Sequence, residues 1–256
     1  MIGVVVPVHD EEAHLDACLT ALDRASHHRA LRGEPVIILA VLDRCVDGSA
    51  RIARRHGVAS LEVDVRSVGA ARAIGAQYVL QHGARWLANT DADTLVAPDW
   101  LASQLALDAD AVCGTVGVHD WPLDSTALRG AFESRYQDAD GHRHIHGANL
   151  GICARAYVRA GGFAPVHADE DVALVHSLED IGASVAWSAQ PRVRTSARLI
   201  GRAPRGFAHY LADLQERSPA NRHVDMPATT PRYRCGADSV CLRRDVIMAR
   251  LATSRV

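Results

Sequence analysis

No run of about eighteen apolar residues occurs in the chain, so no segment reads as a membrane-spanning helix. The first apolar run begins at Ile2, which leaves no room for a secretory leader ahead of it. The expected location is the cytoplasm, with at most a peripheral contact at the inner membrane. Basic residues are not in excess: 28 Lys and Arg stand against 30 Asp and Glu, a formal net charge of -2. That balance gives no positive footprint for nucleic acid. The six cysteines, at 18, 45, 113, 153, 235 and 241, contain no CxxC pair. They read as reduced thiols; for Cys235 and Cys241, which bracket a short loop, a disulfide or half a metal site is the alternative. There is no internal repeat and no low-complexity segment. Neither a Gly-rich phosphate loop nor a GxGxxG turn follows the first apolar run, where His9-Asp10-Glu11 stands instead. This argues against a nucleotidyltransferase and a dinucleotide-dependent oxidoreductase.

What is present is 48% hydrophobic residues over 256, enough for a large core in one domain or one domain with an appendage. Residues 2–8 form a β-branched run without alternation, as in a strand buried on both faces of a parallel sheet. Helical spacing follows over 11–25. Strands are then predicted at 35–42, 61–65 and 86–89, with helices from Ser49 to about His56 and over 68–81. Four strand–helix alternations predict a doubly wound α/β sheet with right-handed crossovers. Ligands on such sheets sit beyond the carboxyl ends of the strands, and Asp10, Asp43 and Asp91 all fall there. The second half is less regular. Helices are predicted at 98–107, 125–138, 156–161, 169–181 and 204–216, and strands at 111–118, 185–187 and 193–195, with a mixed strand over 145–154.

Four clusters carry candidate chemistry. Asp91-Ala92-Asp93 follows the fourth strand, and on an extended segment its two carboxylates share a side. A hard cation takes one or two such carboxylates plus phosphate oxygens; alone, the triplet is also an ordinary polar turn. Asp169-Glu170-Asp171 opens a helix, either as cap and dipole partners or as a general base for an acceptor hydroxyl. Arg72, behind Gly69-Ala70-Ala71, could meet donor phosphates or base, or be a solvated side chain. Gly147-Ala148-Asn149, with Arg155 and Gly161-Gly162-Phe163, lets backbone approach a sugar closely, or is simply a loop.

Taken in order, these segments resemble a family 2 glycosyltransferase of the GT-A fold. The resemblance runs over residues 2–215: Pro7-Val8-His9-Asp10-Glu11-Glu12, the Asp43–Ser49 turn, Gly69-Ala70-Ala71-Arg72, Asp91-Ala92-Asp93, Gly147-Ala148-Asn149, Gly161-Gly162-Phe163 and Glu170-Asp171. It implies a GT-A, nucleotide-diphospho-sugar transferase-like, Rossmann-type sandwich with a mostly parallel central sheet. Residues 1–95 would form the nucleotide half and 96–215 the acceptor and base half. The tail, 216–256, is left as a lid or a homodimer contact.

The resemblance also implies roles. Asp43 would bind the nucleotide base, with Pro7, Val8 and Glu11 lining that pocket and Arg72 near it. Asn149 falls in the donor-binding set. Asp93 would hold Mn2+ or Mg2+, and Asp91 the metal or the ribose. Asp171 would be the catalytic base and Glu170 its support. The donor would be a nucleoside diphosphate sugar, a UDP-sugar by preference, and the acceptor a hydroxyl, joined by one inverting displacement. A catalytically inactive sugar-nucleotide-binding regulator of the same fold is the alternative.

The chain departs from the family pattern in three places. Asp10 stands where Asn is usual, and Arg44-Cys45 replace small polar residues. The Gln-x-x-Arg-Trp motif of membrane-embedded synthases is missing; Arg198 and Arg202 follow a strand instead, as candidates for the donor diphosphate or as a solvated basic loop. His142, His144 and His146 alternate, so an extended backbone puts them on one side, a spacing compatible with a transition-metal site. More ordinarily such histidines line a wet cleft, and His146, beside Gly147, is placed to touch a substrate sugar.

Overall fold

The N-terminal apolar run forms β1 (Ile2–Val8), and its alternate residues supply two cores. The protein is described from a computed structural model over residues 1–164, 168–199, 201 and 206–216. Arg202, Cys235, Cys241 and tail positions 217–256 lie outside the described residues. Val4, Val6 and Val8 face one side of the sheet with Leu15, Leu19 and Leu22 of α1 (Leu15–Ser26). Val5 faces the other side with Leu39 and Val41 of β2 (Val36–Asp43) and with Ala71, Ala76 and Val79 of α3 (Val68–Gln81). This two-sided burial is why neither strand shows polar alternation. Leu15, Leu19 and Leu22 are fully buried, each contributing roughly 2 kcal/mol of apolar burial.

The chain continues through α2 (Ser49–His56), β3 (Ala59–Val63), α3 and β4 (Trp86–Asn89). β5 (Thr94–Val96), α4 (Trp100–Ala106), β6 (Ala111–His119) and α5 (Thr126–Arg135) follow. Then come β7 (Leu150–Cys153), α6 (Ala154–Arg159), α7 (Glu170–Asp180), β8 (Val185–Ser196) and α8 (Phe207–Glu216). The sheet order is β3-β2-β1-β4-β7-β6-β8-β5. The pairs β1–β2, β2–β3, β1–β4 and β6–β8 are parallel, whereas β4–β7, β6–β7 and β5–β8 are antiparallel. The predicted mostly parallel α/β sheet is therefore present, with its antiparallel pairs gathered in the second half.

Three local expectations change. β5 was not anticipated; its three residues pair with Val193–Thr195 of β8 at the far edge. The two short strands predicted at 185–187 and 193–195 are one strand, Val185–Ser196, which runs on through Pro191. Within the predicted mixed strand at 145–154, Gly147–Asn149 form a 3-10 turn and only Leu150–Cys153 pair in the sheet. No described helix is long and apolar enough to cross a membrane.

Candidate active site

The parallel half of the sheet ends on a recessed cavity of about 670 Å³, lined by the loops after β1, β2 and β4, the start of α7 and the aromatic face of α8. Its lining includes Pro7, Val8, His9, Asp43, Arg44 and Arg66. Asp43 is 7% exposed. Its carboxylate accepts the backbone N–H groups of Val65 (2.9 Å) and Ser67 (3.2 Å), which fixes the loop leading into α3. His9 Nδ1 lies 2.7 Å from the Asp43 carbonyl. Asp10, in the left-handed region at φ 51°, is absent from the lining. Its carboxylate accepts the N–H groups of Val46 (2.7 Å) and Asp47 (3.3 Å), so it ties the first turn to the second.

The Asp91-Ala92-Asp93 triplet is not extended. Thr94 N–H donates to the Asp91 carbonyl at 3.1 Å, closing a turn. The expectation of an extended segment is corrected by this turn: Asp91 lines the cavity, and Asp93 is held by residues at the end of β8. The cause is the β5–β8 register, which sets Thr94 opposite Thr195. Asp93 consequently accepts the Thr195 hydroxyl at 3.1 Å and the Ser196 hydroxyl at 2.9 Å. Arg198 completes this set, with one guanidinium nitrogen 2.8 Å from Asp93 and another 2.7 Å from Glu11.

Asp91 has its own cation. Arg72 donates to Asp91 at 2.5 Å and to Glu170, bridging the turn after β4 to the first turn of α7. Arg72 and Glu170 are buried, each 3% exposed. Burial pushes the Asp91 carboxyl up to about 6, against the opposing pull of Arg72. Asp171, the next residue of α7, lines the cavity and accepts the Gly147 N–H at 2.6 Å. A Cβ on Gly69 would lie 2.9 Å from Glu170 side-chain atoms, so the small residue there lets α3 and α7 close around the pair.

Asn149 is a correction. It is fully buried and does not line the cavity. Its side-chain oxygen accepts from the Trp100 indole at 2.9 Å, and its amide nitrogen donates to the Thr115 and Pro191 carbonyls at 2.8 and 2.9 Å. With those atoms spent on the core, it is a cross-link between α4, β6 and β8 rather than a donor contact.

The lining also carries an aromatic group: Tyr136, His144, His146, Phe207 and Tyr210. The three alternating histidines do share a side, with ring centroids 5.4 Å (142–144) and 5.8 Å (144–146) apart. Their chain lies outside any strand, and no histidine belongs to a cluster of potential metal ligands among the described residues. The Asp10, Cys45 and Asp47 side chains do come together, but both carboxylates there accept backbone N–H groups of the two turns. Tyr136 Oη accepts the Val116 N–H (2.8 Å) and lies 3.0 Å from His146 Nε2. Tyr136, Phe207 and Tyr210 had no sequence signal, because aromatics in helical periodicity read as core; Cys18, Cys45, Cys113 and Cys153 are free thiols, as expected.

Residues 3–158 match the sequence model of Glycosyl transferase family 2. Comparison with curated protein sequences gives no match. Among solved structures, S. aureus TarS 1-349 in complex with UDP-GlcNAc is similar at TM-score 0.60 and 12% identity, over 85% of this chain and 67% of that one. The mannosyltransferase PcManGT from Pyrobaculum calidifontis, in complex with GDP-Man and Mn2+, is similar at TM-score 0.55 and 19% identity, over 84% and 60%. The chain spans 66% of TarS 1-349 in complex with UDP, and 36% of the longer TarS chain. At these identities the likeness is one of fold. The match to the family's sequence model covers more than half of the chain, and it is this that identifies the protein as a member of glycosyl transferase family 2.

Proposed function

We propose that the chain transfers a glycosyl group from a nucleoside diphosphate sugar, a UDP-sugar by preference, to a hydroxyl acceptor in one inverting displacement. The observation that carries this reading is the placement of Asp171 at the cavity wall, held by the Gly147 N–H at 2.6 Å, in a cavity lined also by Asp43 and by an aromatic group. The β1–β4 half supplies the nucleotide site, and the later elements supply the base and the acceptor wall.

In this reading the nucleoside lies against Pro7, Val8 and Asp43, and the acceptor against Tyr136, His146 and Phe207. Asp171 takes the proton of the acceptor hydroxyl as its oxygen bonds to the anomeric carbon. The bond from that carbon to the donor phosphate oxygen breaks, and the nucleoside diphosphate leaves with the electron pair. Glu170 acts through Arg72, which it holds in place, and so positions the Asp91 turn.

The donor set suits a hard divalent cation: Asp91, Asp93 and the hydroxyls of Thr195 and Ser196 offer oxygen alone. The Arg198 guanidinium already occupies a cation position on Asp93. Mn2+ or Mg2+ held by Asp91 and Asp93 would neutralise the leaving diphosphate.

A thermal-shift screen of UDP- and GDP-sugars with Mn2+ identifies the donor. With that donor, release of nucleoside diphosphate is compared between the wild type and Asp171→Asn. The expected result is loss of turnover by at least ~100-fold, the scale of a lost general base, with the donor-induced shift retained. Turnover at the wild-type rate would refute the assignment of the base.

A further inference from the structure

The two arginines on the Asp91–Asp93 turn differ in a way that matters for the cation site. Arg72 is locked: its side chain is 4% exposed and bridges Asp91 and Glu170. Arg198 is held less tightly. Its side chain is 29% exposed and lines the cavity, while both carboxylates it bridges, Glu11 and Asp93, are 5% exposed. It stands two residues beyond the end of β8, whose last residue, Ser196, donates to the same Asp93 oxygen that Arg198 reaches.

We propose that Arg198 is an internal competitor for the divalent cation at Asp93, and that the donor's diphosphate releases it. Asp93 has both oxygens engaged: Thr94 and Thr195 donate to one, and Ser196 and Arg198 to the other. A metal ion on Asp93 needs a lone pair that Arg198 holds, and it would sit beside a fixed positive charge in a recessed, weakly screened site. Metal alone therefore binds weakly. A diphosphate offers the guanidinium paired oxygens in the geometry it prefers. Once Arg198 turns from Glu11 and Asp93 to the phosphates, Asp93 is free for the metal. Metal and diphosphate then strengthen each other's binding, and by linkage the gain is equal in both directions. Arg198 in this role is a positioning residue that sets the order in which metal and donor load.

This inference rests on the reading of the cavity as a donor site, and its test separates the two. Mn2+ binding to the full chain is measured from the loss of the free-ion electron paramagnetic resonance signal, with and without UDP. For the wild type, UDP is expected to tighten Mn2+ by at least ~10-fold, a coupling within the usual range for linked sites. Arg198→Met removes the charge and keeps the length. It is expected to bind Mn2+ alone more tightly than the wild type, to bind UDP more weakly at saturating Mn2+, and to show reduced coupling. Ser196→Ala removes a neutral donor from Asp93 and is expected not to tighten Mn2+. The proposal is overturned if Arg198→Met binds Mn2+ alone no more tightly than the wild type. Should that variant fail to fold, the wild type decides alone: equal Mn2+ affinity with and without bound UDP overturns the proposal. Tighter Mn2+ in Arg198→Met with no UDP binding by either protein would leave the competition standing and count against the UDP donor reading.

Discussion

Gly147 sits so close to Arg72 that a Cβ built on it would overlap the guanidinium. The same glycine's N–H holds Asp171 at 2.6 Å. One residue thus serves the Asp91–Arg72–Glu170 bridge with the space above its backbone and the proposed base with its amide. Gly147→Ala should cost about 1–3 kcal/mol, the range for overpacking a filled site, because a buried guanidinium tied at both ends has nowhere to move. Donor affinity should fall with it, since Arg72 fixes the Asp91 turn. Thermal melts and nucleotide titration check both effects; a variant with wild-type melting and wild-type affinity would show that the contact is not tight.

Arg72 itself makes a sharper case. Its two terminal nitrogens serve two different carboxylates, with Asp91 at 2.5 Å and Glu170 as the other partner. Arg72→Met leaves Glu170 buried without its counter-charge and should destabilise the protein by about 3–5 kcal/mol, the cost of breaking a buried pair from one side. Arg72→Lys should not restore it, because one ammonium cannot span the distance that the forked guanidinium does. Adding Glu170→Gln to Arg72→Met should recover part of the loss. Urea denaturation of the wild type, Arg72→Met, Glu170→Gln and the double variant gives the cycle, and strict additivity would rule out the bridge as an energetic unit.

Asn149 separates a structural role from a donor contact. Asn149→Ala strands the Trp100 indole N–H and removes the donor to two backbone carbonyls in a fully buried site. Each stranded group costs about 1–3 kcal/mol, so a large fall in melting temperature is expected. The dissociation constant for UDP, measured below that melting point, should change little. A normal melting temperature with lost UDP binding would return Asn149 to the donor site.

The contrast between Asn149 and Asp171 shows what the sequence could and could not reveal. The βα order was legible through Asn89 because strands buried on both faces and helices with apolar stripes leave opposite periodicities, and 68–81 and 86–89 are observed with the bounds expected. The acidic residues past strand ends were legible because a parallel sheet places such positions on one edge. Of the three read there, Asp43 and Asp91 line the cavity and Asp10 does not; Asp171, read at a helix start, lines it as well. What failed was side-chain direction. Asp93 was read on an extended segment beside Asp91, but the segment is a turn, and the pairing of β5 with β8 that ties Asp93 down is a long-range fact that no local pattern encodes. Asn149 was read as a donor contact through the family resemblance; its partners lie 34, 42 and 49 residues away in the chain. Arg198 was placed near the donor, but its ties to Glu11 and Asp93 were not foreseen.

His146 carries the pH prediction. Burial, with His144 and His142 adding to it, depresses its pKa from 6.5 to about 3. The neighbouring hydrogen bonds agree: Tyr136 Oη already accepts the Val116 N–H, so its own proton is directed at His146 Nε2. Protonating that nitrogen would set two donors against each other. Because the folded value lies below the unfolded one, the unfolded chain binds the proton first. The neutral ring's contribution is complete above about pH 6.5 and is lost as pH falls from there toward 3. His146→Gln keeps an acceptor for Tyr136 and removes the titration. Relative to the wild type, this variant should gain up to ~1.4 kcal/mol for each pH unit below about 6. Denaturant unfolding of both proteins between pH 7 and about 4.5 measures that difference, where common carboxylate effects cancel. A difference that stays constant across the range would mean that His146 takes up its proton as readily in the folded protein as in the unfolded chain.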